Sequence, residues 1–183
     1  MESILSNEPN PSPAHAQNDI DPDVLDLAHE VFEAARRGDS AVLAAVIQKG
    51  VPPNLRNEKG DSLLMLASYH GHADAVRTLI EHGADPDLRN DNGQSPIAGA
   101  AFKGFRDVVA ALLAAGADVE GASPDGRTAL MIAAMFNRTE IVELLIAHGA
   151  NPQARDASGV TPLDAATRMG APDTPAQLSK ARS

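Results

Sequence analysis

The sequence predicts an all-α solenoid, built from helix-turn-helix units with extended loops stacked at a 33-residue period. Two observations predict it. Gly60, Gly93, Gly126 and Gly159 stand 33 residues apart, and so do Gly50, Gly83, Gly116 and Gly149. The apolar positions keep the same step, with Val46, Leu79, Leu112 and Leu145 in one file and Ile47, Ile80, Leu113 and Ile146 beside it. A period of this length marks stacked units, none of which can bury its apolar face alone. A third glycine column runs Gly38, Gly71, Gly104 and Gly170, with Asn137 where a glycine is due.

Residues 1–23 come first and carry no such period. They are rich in Asn, Pro, Ser and acid, and Pro9, Pro11, Pro13 and Pro22 interrupt any apolar pattern. A segment of this kind cannot bury enough apolar surface to offset its ordering entropy, so it reads as a disordered acidic tail. Ile20, Val24, Leu25 and Leu27 offer its end a way to lie down on the first unit.

Residues 24–170 form the repeat domain, with three full repeats (about 57–89, 90–122 and 123–155) between two caps. Ser62, Ser95, Thr128 and Thr161 share one column, where a hydroxyl caps the first helix of the unit. Pro96 and Pro162 follow at the first helical position, which needs no N–H. Ala67, Ala100, Ala133 and Ala166 let neighbouring units approach closely. Gly71 and Gly104 end the helix in the left-handed conformation. The second helix carries Leu79–Ile80, or Leu145–Ile146, into the core. The first cap, 24–56, presents Glu30, Glu33, Arg36 and Arg37, as a terminal unit does when one face meets water. The last cap keeps only Leu178 on the leucine column, and Pro172 and Pro175 weaken its second helix. Residues 171–183 are therefore expected to fray.

With Thr161-Pro162-Leu163, Gly83-Ala84-Asp85, Gly116-Ala117-Asp118 and Gly149-Ala150-Asn151, the chain resembles the ankyrin repeat family over residues 27–170. One departure is systematic: Met65, Ala98, Met131 and Asp164 stand at the family's motif histidine. In the family that imidazole links neighbouring loops. Its loss calls for apolar packing in its place, or for a looser stack. The resemblance implies a non-catalytic protein-binding module. It points to small stand-alone bacterial ankyrin proteins, some linked to catalase function or oxidative stress and others acting as immunity proteins. The alternative is a secreted effector that acts on host proteins.

Composition narrows the classes further. The chain has no cysteine, which excludes disulfides, thiolate metal sites and cysteine nucleophiles. The net charge of −10 argues against nucleic acid, whose binding relies on Lys and Arg to neutralise phosphates. No apolar run approaches the ~20 residues that span a bilayer. The amino terminus lacks a basic start and an apolar core, so no membrane partner and a cytoplasmic location are expected, and closed solenoid caps favour a monomer.

Candidate chemistry is sparse. His82 and His148 stand at helix ends, where an imidazolium complements the dipole. His70, His72 and Asp74 make half a metal site with nothing to complete it. Pairs such as Asp85 and Asp87 read as solvated charge. The reading is no enzyme, no cofactor and no metal.

The resemblance directs attention to the two residues before the third glycine column, which face the concave groove in the family. Here they are Arg36–Arg37, Tyr69–His70, Phe102–Lys103, Met135–Phe136 and Arg168–Met169. Of the five aromatic residues in the chain, three lie in this ladder. An aromatic stripe flanked by Arg has the composition of an interaction hot spot. Two readings stand: a partner-binding surface, or Phe102 and Phe136 folded back to fill space left by the missing histidines. Phe105 is read as packing. The loop tips Glu58, Lys59, Asp61, Asp91, Asn92, Gln94, Asp125, Arg127, Ser158 and Val160 would form the opposite wall.

Overall fold

The computed structural model describes residues 22–181, with side-chain environments from residue 26. The expected tail lies outside the described residues except for Pro22 and Asp23, which open the first helix. Ten helices follow in order among the described residues: α1 (Pro22–Arg37), α2 (Ser40–Gln48), α3 (Leu63–Tyr69), α4 (Ala73–Glu81), α5 (Pro96–Lys103), α6 (Arg106–Ala114), α7 (Ala129–Met135), α8 (Thr139–Ala147), α9 (Pro162–Met169) and α10 (Thr174–Lys180). The odd-numbered helices α1 to α9 pack in series as an inner layer, and α2, α4, α6 and α8 form the outer one. This is the solenoid the period predicts: three full helix pairs between two terminal pairs.

The leucine file explains the stacking. Leu79, Leu112 and Leu145 are fully buried, and so are the alanines Ala67, Ala100, Ala133 and Ala166. A larger side chain in the alanine column would push adjacent inner helices apart. Ser62, Thr128 and Thr161 cap their helices as expected, accepting from Met65, Met131 and Asp164 N–H respectively. Ser95 makes no such bond. Its hydroxyl and that of Ser68 are buried without a hydrogen-bond partner. Leu27 is half exposed, so it does not settle onto the first unit as the sequence suggests.

Apolar packing takes the place of the motif histidine. Met65 and Met131 are buried at 4% and 1% exposure. Loop-to-loop linkage passes instead to an arginine column that sequence reading missed. The Arg56 guanidinium donates to the Gly60 carbonyl at 2.9 Å, to the Arg89 carbonyl at 3.2 Å and to the Asp91 carboxylate at 2.8 Å. Arg89 donates to the Gly93 and Ala122 carbonyls, and Arg155 to that of Gly159. A second column ties the outer loops together. Asn54, Asp87 and Glu120 each accept the backbone N–H of a residue in the next unit, namely Asp85, Asp118 and Asn151. Asp87 is therefore a structural acceptor, not merely solvated charge.

The third glycine column has a steric reason beyond its dihedrals. A Cβ on Gly38 would lie 2.4 Å from the His72 ring, and one on Gly71 would lie 2.8 Å from the Phe105 ring. At Gly104 the Arg138 side chain would sit at 3.1 Å. Each unit thus lays one bulky side chain over the glycine of the unit before.

The carboxyl-terminal cap corrects the sequence reading. Residues 171–183 were expected to fray, yet Thr174–Lys180 form α10, packed on α7, α8 and α9. Leu178 is fully buried, as is Thr174, whose hydroxyl donates to the Ala134 carbonyl at 2.7 Å. Pro175 falls in the first turn of α10, where proline costs little, so it starts the helix rather than breaking it.

Candidate partner-binding groove

The inner helices end on one face, and their last residues stand opposite the loop tips. Between them lies a cleft of about 690 Å³. Its helix wall holds Tyr69, Phe102, Met135 and Phe136; its loop wall holds Lys59, Asp61, Asn92, Ser123, Asp125 and Arg127. Tyr69, Phe102 and Phe136 are 40%, 38% and 36% exposed, so none is absorbed into the core. Phe102 and Phe136 meet edge to face, with centroids 4.7 Å apart and planes at 89°. This is the geometry aromatic quadrupoles prefer. The Lys103 ammonium sits 5.1 Å over the Tyr69 ring, at cation–π range.

Several features of the cleft escaped sequence reading. Its floor includes Met65, Leu66, Gly99 and Ile132. Gly99 stands in the middle of α5, where its unit neighbours 33 residues away carry Leu66 and Ile132. The missing side chain opens a notch beside Tyr69. The signal was present in the sequence, as a helical glycine in a column of large apolar residues, but it lay outside the two positions that the resemblance singled out. Val160, placed by the sequence at a loop tip, is buried at 8% exposure beside a smaller cleft lined by Arg127, Met135, Arg168 and Met169.

The remaining candidates distribute along the same edge. His70 packs edge-on to Tyr69 and stacks on His72. Desolvation by burial, with His72, Arg36 and Lys103 nearby, holds its pKa below the ordinary histidine value. His72 is occupied structurally, its Nε2 lying 2.8 Å from the Arg36 carbonyl. Arg36 is half-buried and paired with Glu33, whereas Arg37 is exposed and lies away from the cleft lining. Lys103 is exposed, and Arg168 belongs to the smaller cleft. His82 and His148 close helices α4 and α8, each with Nδ1 at 2.8 Å from a carbonyl one turn back. Among the described residues no three His, Cys, Asp or Glu gather as a metal site would require. Nor is any described helix long and apolar enough to cross a membrane.

Ankyrin repeats, in three copies, match residues 31–122 and 116–180. The chain belongs to the ankyrin repeat family. Ankyrin repeats are in general protein–protein interaction modules and typically non-catalytic. A segment of 59 residues is 59% identical to Pseudomonas aeruginosa PA3287, named for its ankyrin repeats, and covers 32% of this chain and 34% of that one. Another of 52 residues is 46% identical to human ankyrin repeat domain-containing protein 29, covering 28% of this chain and 17% of that one. The matched segments thus span about a third or less of these relatives' lengths.

Proposed function

We propose that this ankyrin chain holds a segment of a protein partner in its concave groove, with Tyr69, Phe102, Met135 and Phe136 as anchors and His70, Lys103, Arg36, Arg37 and Arg168 around them. One observation carries the reading: three aromatic rings remain more than a third exposed in a cleft of about 690 Å³. Phe102 and Phe136 touch each other edge to face yet keep more than a third of their surface open to the cleft, which supports binding over space-filling between units. Exposed rings flanked by polar loop tips have the make-up of a hot spot with a wettable rim.

The test is Phe102→Asp. Phe102 lies outside the core, and its loss removes chiefly the edge-to-face contact with Phe136, about 0.5–1.5 kcal/mol. Helical content should therefore be kept, and the melting temperature should fall only slightly. Partner capture from the native cell should be abolished, because an unpaired carboxylate at the centre of an interface is strongly unfavourable. A sharp fall in melting temperature would instead assign Phe102 to packing and remove it from the groove. The captured protein then separates the finer roles. A toxin indicates an immunity protein, a catalase a stress-linked accessory, and a host protein a secreted effector.

A further inference from the structure

We propose that the groove accepts a short apolar segment flanked by carboxylates, and that Glu2–Glu8 of this same chain is such a segment and occupies it in cis. The proposal rests on the groove reading above. Its first support is the charge left unpaired along the cleft. The chain carries a net charge of −10, yet Lys59 on the loop wall and Lys103 beside Tyr69 make no ion pair among the described residues. The carboxylates lining the cleft are already engaged. Asp61 accepts from the Asn90 carboxamide at 2.9 Å, and Asp125 is held by the Ser123 hydroxyl and by Arg127 at 3.1 Å. Those Asp125 partners, the Ser123 hydroxyl first, hold its pKa below the ordinary value, so it stays charged and occupied. What the groove still offers is apolar rings with cations beside them.

The second support is the segment itself. Residues 1–21 contain no Lys or Arg, and Ile4-Leu5 is their one adjacent aliphatic pair. Glu2 and Glu8 stand on either side of it. The third is reach. Leu5 is 17 residues from Pro22, where α1 begins, and a chain of that length spans at most about 60 Å. Phe102 lies on α5, two inner helices along from α1, at helix spacings of about 8–10 Å each. A tethered occupant acts at an effective concentration in the mM range. It would shield the rings and raise the affinity a partner needs to displace it.

Tyr69 makes the test direct, because the chain has one tyrosine and no tryptophan. Its emission therefore reports the groove. In the full chain, Ile4→Asp with Leu5→Asp should raise acrylamide quenching of Tyr69 while leaving the circular dichroism spectrum unchanged. Lys59→Glu, with the amino-terminal segment intact, should also raise quenching. A synthetic Met1–Ser12 peptide added to the double variant should restore protection saturably, and the same peptide carrying Glu2→Lys and Glu8→Lys should not. Equal quenching of the wild-type and Ile4/Leu5 chains overturns occupancy in cis. Protection that disappears on dilution, together with a dimer in sedimentation, also overturns it and assigns the segment to a second copy. Either result leaves the groove open for a protein partner, a reading that only the Phe102→Asp capture experiment can remove.

Discussion

The Asn137 carboxamide donates to the Asp173 carboxylate at 2.9 Å and accepts from the Asp173 backbone N–H at 3.0 Å. It accepts a further N–H from Thr174 at 3.1 Å. The one break in the third glycine column is thereby explained. In earlier units the residue after the next column position is bulky and lies over the glycine, as with His72, Phe105 and Arg138. After Asn137 that place falls to Ala171, which leaves room for a side chain. Asn137 takes a left-handed φ of 54° and uses the room to fasten the start of α10.

Asn137→Ala should therefore be more damaging than Asn137→Gly. Alanine loses the hydrogen bonds and keeps the strained φ, for a combined loss of about 2–3 kcal/mol. Glycine also loses the bonds but relieves the strain, so the two effects partly offset. Both variants should speed amide exchange in α10 before any change in α3 to α6. Uniform exchange across all helices would show that α10 is not held through Asn137.

Leu178 is fully buried, as is Leu112 in the central unit. Truncation of either to alanine should cost about 2–5 kcal/mol, measured by denaturant unfolding. A near-neutral Leu178→Ala would return the carboxyl end to the frayed state that its prolines suggested.

Gly99 separates stability from binding. It has no left-handed φ, and a Cβ there would meet Tyr69 at an ordinary 3.5 Å. Gly99→Ala should stabilise the fold by about 0.5–1 kcal/mol, since glycine is a poor residue for a helix interior. Gly99→Leu should fill the notch and weaken partner capture without unfolding the chain. A melting temperature lowered by Gly99→Ala would mean that the notch is needed for packing.

Asp164 supplies a pH dependence. The Thr161 hydroxyl at 2.7 Å and backbone N–H at 3.1 Å hold its carboxyl below the usual aspartate value. A lowered folded-state pKa stabilises fully above the unfolded value of about 3.9 and is lost as pH falls through the folded value. Melting temperature should therefore drop more steeply below about pH 4 in wild type than in Asp164→Asn. Parallel curves would show that the capping box contributes nothing through that charge.

The sequence by itself determined the architecture. The glycine, alanine and leucine columns fix the unit length, the close approach of the inner helices and the buried file, because stacking repeats one set of local constraints every 33 residues. The family resemblance carried by those columns also brought the ladder from Tyr69 to Phe136 into view, as the positions that face the concave groove in that family. Relations between different columns were decided by the tertiary structure. That Arg56 reaches the Arg89 carbonyl, that Asn137 secures α10, and that Gly99 opens the cleft floor all depend on which side chain one unit lays against the next. The carboxyl cap shows why. Pro172 and Pro175 lower local helix propensity when read along the chain, but the burial of Leu178 and Thr174 against α7, α8 and α9 outweighs it.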